Sequence, residues 1–334
     1  MRKTPLVVGN MLKFTPLRTN TIRGTAFSII GPLVMMACGS AMAVEGAKGF
    51  YLLGSKTSMS GLIPPPGTYV QNVKYSYSGD TKAAVDIAGL TILGGVKAKV
   101  FFDLPSAIWV APGQLFGGSL ALNLTTPIGY TKVQANAATT GRAATRRSND
   151  TDFGDPVIGA SLGWHSGNWH WNIGALLNVP LGFWQKKNLS NIGFNRWAVD
   201  TNAAITWFDP QRGLEFSAAT GITFNDRNSD IDYKSGREFH VEWAMVQNLS
   251  KALSIGISGY HYRQITEDTG SGASLGAFKG RATGLGPVVN YSFTLRNTPI
   301  STSLRYFREF DVRNRLSGDA FMFSATMPLS PARQ

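Results

Sequence analysis

Glu238, His240 and Glu242 fall at alternate positions, separated and followed by Phe239, Val241, Trp243 and Met245. Successive side chains of an extended chain point to opposite faces, so the three ionisable groups share one face and the apolar ones the other. Lys279 and Arg281 follow on a neighbouring predicted strand near its outer end, and Arg305 comes two strands later. Together these six are the candidate lumen or constriction residues. One reading is a gate of paired charges; the other is a buried, mutually neutralising network that fills a narrow interior, as a low dielectric demands.

Other chemistries fit less well. In Glu-x-His-x-Glu, alternate strand positions stand some 7 Å apart, wide for shared ligation, so no metal is assigned and no cofactor is expected. His240 with Ser254 or Ser258 on the next strand would resemble an acyl-transfer pair. No Gly-x-Ser-x-Gly elbow occurs, however, and serine suits a wet strand face for solvation alone; the expectation is a protein that is not an enzyme. Asp226, Asp230 and Asp232, with Asn225 just before them and Asn228 among them, could catch calcium, but their spacing is not that of an EF-hand, and a solvated loop is the better reading. Arg142, Arg146 and Arg147 either contact the phosphates of surface lipopolysaccharide or form a free cationic loop.

The elements that must position these residues are strands. No apolar run after the first 43 residues reaches the eighteen needed for a helical span. Period-two alternation recurs instead. Tyr69, Gln71, Val73, Tyr75 and Tyr77 share a face, as do Leu120, Leu122 and Leu124; Trp169, Trp171, Ile173 and Leu177 oppose His170, Asn172 and Asn178. Trp197, Val199, Ile205 and Trp207 oppose Asp200, Asn202 and Thr206, and Leu214, Phe216, Ile222 and Phe224 oppose Glu215, Ser217 and Thr223. Ile265–Phe293 reads as a glycine-rich loop feeding a strand too long for an ordinary soluble sheet but suited to a tilted membrane crossing.

A sandwich would alternate in the same way, so connection lengths decide. After Phe116 they run long (131–156), tight (165–168), long (180–195), tight (208–213), long (225–236), tight (248–251), long (266–277), tight (295–299) and longer again (311–319). Extended external loops alternating with minimal periplasmic turns mark a bacterial barrel. Ten strands after Phe116, plus Thr68–Ser78 and one within Ile87–Phe102, make twelve. Residues 44–67, punctuated by Gly46, Gly49, Gly54 and Pro64-Pro65-Pro66, should form no regular strand; they either plug the barrel or hang in the periplasm. Asp103–Pro112 is expected to carry one helical turn at the periplasmic rim. The barrel proper is expected over residues 68–330.

The chain has 334 residues, 16% charged, 37 glycines and a net charge of +12. Five of the excess cations lie at Arg2, Lys3, Lys13, Arg18 and Arg23, and the rest are dispersed, without the clustered stripe that nucleic acid requires. Residues 1–43 read as an export signal: a basic start, an apolar Thr25–Cys38, and Ala41-Met42-Ala43 as the cleavage site. A lipoprotein reading through Cys38 is weaker, because Met35-Met36-Ala37-Cys38 is a poor lipobox. Cleavage after Ala43 leaves no cysteine.

Several motifs resemble one family. They are Asp268-Thr-Gly-Ser-Gly-Ala, Gly276-Ala-Phe-Lys-Gly-Arg281, Gly284-Leu-Gly-Pro287, Tyr291-Ser-Phe293, Gly46 to Gly54 with Pro64-Pro-Pro-Gly67, Tyr233-x-x-Gly-x-Glu-x-His240, Gly259-Tyr-x-Tyr-x-Gln264 and Asn314-Arg315. Spread over most of the chain after residue 43, they resemble the proteins of the phenol meta-degradation pathway. That resemblance implies an outer-membrane β-barrel transporter of small hydrophobic or aromatic solutes. The implied partners are outer-membrane lipid and lipopolysaccharide, the solute, and the outer-membrane assembly machinery. The chain departs from a common barrel pattern in running on through Met327–Gln334 instead of ending on an aromatic, which leaves the assembly signal unplaced. The expectation is therefore an all-β, transmembrane antiparallel barrel of about twelve strands in a bacterial outer membrane, passing solutes through its lumen. The alternative is a non-transporting barrel with a structural or surface-interaction role.

Overall fold

The computed structural model describes residues 45–139, 142–276 and 279–329. The expected export signal and its cleavage site lie outside them. The strands are β1 (Gly67–Thr81), β2 (Val85–Ile87), β3 (Leu90–Ile92), β4 (Val96–Leu115), β5 (Gly118–Thr125), β6 (Ile128–Thr139), β7 (Arg142–Phe153), β8 (Val157–Ser166) and β9 (Trp169–Asn178). They continue as β10 (Ala198–Asp209), β11 (Leu214–Asn225), β12 (Arg227–Asn228), β13 (Tyr233–Lys234), β14 (Glu238–Asn248), β15 (Leu253–Gln264), β16 (Arg281–Leu295), β17 (Thr298–Arg313) and β18 (Ser317–Pro328).

Twelve of these close a ring, in the order β1, β4, β5, β8, β9, β10, β11, β14, β15, β16, β17, β18 and back to β1. Every neighbour is antiparallel, and β1 is the closing strand: Tyr69 pairs with Pro328 of β18 and Thr81 with Val96 of β4. Closure leaves the ring without a free strand edge, which is the condition for a sheet to stand in hydrocarbon. Tight turns at one end match the sequence reading. Phe116-Gly117 and Arg296-Asn297 take paired positive φ angles (50° and 71°; 48° and 67°), the backbone twist of a two-residue hairpin.

Three local expectations give way. Asp103–Pro112 carries no helical turn: it lies within the 20-residue β4, because closure on β1 requires a partner for every residue from Gly67 to Thr81. Residues 131–156 are mostly hairpin, not loop. Pro127 and Pro156 separate β6 and β7 from β5 and β8, and β6 continues the ladder on β4 from Ile128 to Ala135. The Asp311–Asp319 connection is short, since β17 and β18 leave only residues 314–316 between them.

Most strands turn their oily face outward: Trp169, Trp197, Ile257, Tyr291, Phe310 and Phe323 are all well exposed. β1 does the reverse. Val73, Tyr75 and Tyr77 point inward, while Lys74, Ser76 and Ser78 are exposed on the outside, where Lys74 pairs with Asp103 at 3.1 Å.

Candidate functional site in the barrel interior

Residues 45–66 form one 3₁₀ turn, Glu45–Ala47, and otherwise no regular structure. Their backbone N–H groups find acceptors on the wet faces of the wall, as buried amides must. Glu242 on β14 accepts the N–H of Gly54 at 2.8 Å and of Lys56 at 2.6 Å. Glu215 on β11 accepts the N–H of Met59 at 2.6 Å and the Ser58 hydroxyl at 2.8 Å. Thr206 accepts the Gly61 N–H at 2.9 Å, and Asn172 donates to the Ser60 carbonyl at 2.8 Å. From β17, Arg305 donates to the carbonyls of Gly54 (2.8 Å) and Ser55 (3.0 Å).

The segment approaches the wall so closely that glycine is required at Gly61. A Cβ there would lie 2.4 Å from the His170 carbonyl and 2.5 Å from the Thr206 nitrogen, both wall backbone. At Gly54, with φ 85°, a Cβ would strike the Phe307 ring at 2.5 Å. The mouth-side end of the segment is tied by Glu45, whose carboxylate meets Arg196 at 3.2 Å with both side chains buried. Burial raises the Glu45 carboxyl above its usual range, opposed by Arg196. Lys48 donates to the Asn191 carbonyl at 2.7 Å, and burial lowers its ammonium to about 8.

The six predicted lumen residues divide. Glu238, His240, Glu242 and Arg305 are buried inside. His240 Nε2 lies 2.9 Å from the Asp200 carboxylate, and the ring lies flat against Tyr51 with centroids 3.6 Å apart. Glu238 accepts from Asn225 at 2.8 Å. Lys279 is exposed, and its carbonyl accepts from Asn314 at 3.0 Å; Arg281 pairs with Asp311 at 2.6 Å. Both therefore stand apart from the interior set, because Gly280 and Arg281 lie where β16 meets the external loop. Neither serine suits the acyl-transfer reading: Tyr262 is the residue opposite His240, while Ser258 lies opposite Ala244 and Ser254 opposite Asn248.

The external acids do not converge either. Asp232 pairs with Arg227 and is held low by the N–H and hydroxyl of Ser271, while Asp230 accepts from Asn195 at 2.8 Å. Among the described residues no cluster of His, Cys, Asp and Glu could hold a metal ion. Arg146 and Arg147 sit on β7, not in a loop, and Arg146 donates to the Lys187 carbonyl at 2.9 Å. The side chain of Arg142 lies outside the described residues.

Sequence reasoning placed Asp200 and Glu215 on wet faces but did not single them out as partners of the interior segment. Their signal was an acid on an otherwise small-residue face, which no local pattern distinguishes from solvation.

Opposite the polar wall the interior changes character. The inward faces of β1 and β4 carry Val73, Tyr75, Tyr77, Val100, Phe102, Leu104 and Ile108, and with Leu52, Leu53 and Ile63 of the segment they line a cavity of about 520 Å³. Tyr77 and Tyr260 donate their hydroxyls to Glu309 at 2.8 and 2.9 Å, which leaves mainly ring surface toward the space. At the loop end the cavity is roofed by a cluster that includes Val85, Ile87, Ile92, Val133 and Leu189, with Leu316 packed against it.

A protein-family model described as "Putative MetA-pathway of phenol degradation" matches residues 77–325. No curated protein matches the chain. Among solved structures, an outer membrane channel from Pseudomonas putida F1 superposes with a TM-score of 0.63 at 16% identity, covering 83% of this chain and 98% of that one. The β domain of the Bordetella autotransporter BrkA gives 0.44 at 7% identity over 80% and 100%. A Pseudomonas aeruginosa FadL homologue gives 0.40 at 9% over 87% and 100%. At these identities the likeness is one of fold.

Proposed function

From the premise that this chain belongs to the phenol-degradation MetA-pathway family, we propose that it is a bacterial outer-membrane channel for small hydrophobic or aromatic compounds. One observation carries the reading: a cavity of about 520 Å³ lined mainly by aliphatic and aromatic side chains beside a polar, filled half. A water-filled porin keeps a polar interior. Here the polar half is occupied by residues 45–66, whose amides take up Glu215, Glu242 and Thr206. What remains open is apolar and of a size that holds a small organic molecule.

In this reading residues 45–66 are a fixed plug that keeps water and ions out, and the wall residues Glu242, Glu215 and Arg305 hold it in place. The solute moves through the gap between the plug and the oily inner faces of β1 and β4. Such a path discriminates by desolvation: a hydrocarbon ring gains by leaving water, whereas a sugar of equal size would lose hydrogen bonds. The mature chain begins after Ala43, immediately before the plug.

The test is uptake into proteoliposomes of toluene and of ribose, compared with protein-free vesicles. Accelerated toluene equilibration with no ribose entry supports the channel. Equal rates with and without protein, for both solutes, would leave the barrel a structural or surface-interaction protein.

A further inference from the structure

Lys99 on β4 lies directly opposite Lys132 on β6, and both are exposed on the outer wall. Like charges in directly opposed positions destabilise a sheet pair. Among the described residues no carboxylate comes within ion-pair distance of either, nor of Lys97 two positions farther out on the same face. One register step toward the middle of the wall the opposed pair is Phe101 and Tyr130, both exposed, and the next step brings Ile128 beside Phe153. The surface thus passes from aromatic to cationic within a single step of about 7 Å. That is the profile of the boundary between acyl chains and headgroups.

Sideways the wall carries both signs: Asp80 on β1 lies directly opposite Lys97, and Asp319 on β18 opposite Ser78, before cations return on β17. A groove of about 950 Å³ on the same wall is bounded by Lys97 and Lys99 on one side and by Arg308 and Arg313 on the other, with Ser78 and Asp80 between. Arg308 is taken up by Asp319 at 2.7 Å, whereas Lys97, Lys99 and Arg313 have no ion-pair partner among the described residues. From β6 to β17 the sheet crosses four inter-strand spacings, about 19 Å sideways at the usual separation, and Arg313 lies five residues beyond Arg308, the β17 residue level with Lys132. A single phosphate headgroup cannot bridge that width. An acylated disaccharide with a phosphate at each end can.

We propose that this face binds lipid A, the bisphosphorylated glycolipid of the outer leaflet. One phosphate sits against Lys97, Lys99 and Lys132, the other lies toward Arg313, and the acyl chains run over Phe101 and Tyr130. The bound anion then neutralises the opposed lysines.

The experiment uses full-length protein refolded in lipid-free detergent. Native mass spectrometry follows its binding of hexa-acyl bisphosphoryl lipid A, monophosphoryl lipid A and phosphatidylglycerol. Wild type should favour the bisphosphoryl form, and K97Q/K99Q/K132Q should weaken that binding at least about tenfold, given the usual contribution of a cation near an anionic lipid surface. K251Q, in a tight turn at the opposite end, should match wild type. Equal binding by the triple variant, or wild-type binding of phosphatidylglycerol as strong as of lipid A, would overturn the assignment. Should the triple variant fail to refold, K99Q alone carries the test. Without lipid it should melt no lower than wild type, because a like-charge contact has been removed, yet bind lipid A more weakly; unchanged binding rejects the site.

Discussion

The Glu242 carboxylate accepts the Gly54 N–H at 2.8 Å across a sequence separation of 188 residues. A group that the strand pattern left open as a gate charge or a member of a buried neutralising network is thus committed on both oxygens, the second taking the Lys56 N–H at 2.6 Å. This arrangement, beside the nearby His240 and Arg305, explains how a buried acid persists on the face of β14. Backbone amides hydrogen-bond the charged form and offset part of its desolvation.

E242A should leave two buried amides without acceptors, costing roughly 3 kcal/mol. The loss should appear as a lower melting temperature and, in planar bilayers, as larger or noisier conductance when residues 45–66 loosen. E242Q, which keeps one acceptor oxygen, should fall between the two. An E242A protein with wild-type melting and conductance would show that the carboxylate does not hold the segment.

At Gly61 the restriction is steric. G61A places a methyl within 2.4 Å of the His170 carbonyl, and because that oxygen belongs to the wall ladder, the segment must shift instead. Overpacking of this kind costs about 1–3 kcal/mol. Trypsin should then cut after Lys56 in the folded variant and not in the folded wild type, as read by electrophoresis of the heat-modifiable band.

Val100 points into the apolar cavity. Replacing it by Trp fills part of the space without touching the polar wall, so toluene equilibration in proteoliposomes should drop by roughly an order of magnitude if the rate follows free cross-section. Melting should change by no more than the usual small-to-large penalty of about 1–3 kcal/mol. Undiminished flux with the cavity filled would place the route elsewhere.

The pH dependence follows from Lys48, whose ammonium burial lowers to about 8 from the ordinary 10.5. Below about pH 8 both folded and unfolded chains carry the proton, and the cost of burying the charge is fully present. Between 8 and 10.5 the unfolded chain keeps the proton while the folded one releases it, so stability rises with pH across that window. The difference in melting temperature between wild type and K48Q should therefore shift in favour of wild type as the buffer is raised from about 8 to about 10. A difference that stays flat or moves the other way removes Lys48 from the account.

Much of this organisation was legible in local pattern. The alternation around Glu238, His240 and Glu242 placed all three on one face, and all three are buried within the barrel. The long and short connections led to twelve strands, the number that closes the ring. Elsewhere the same pattern misled for identifiable reasons. One helical turn was expected over Asp103–Pro112, yet Pro105 lies opposite Asn72 in the wall. Arg281 was assigned to the lumen by its neighbours, but at the strand end its side chain reaches Asp311 instead.

The amino-acid order alone determined that the chain is built of long two-faced strands and which residues share a face, because side-chain alternation is covalent and local. It could not say which face of a given strand looks inward. Tyr75 and Tyr77 on β1 read like any other oily face, and only closure between β18 and β4 turns them to the interior and puts Lys74 outside. Tertiary structure likewise decided that the interior acids hold a chain segment, since hydrogen bonds spanning well over a hundred residues depend on how the ring closes and what threads it.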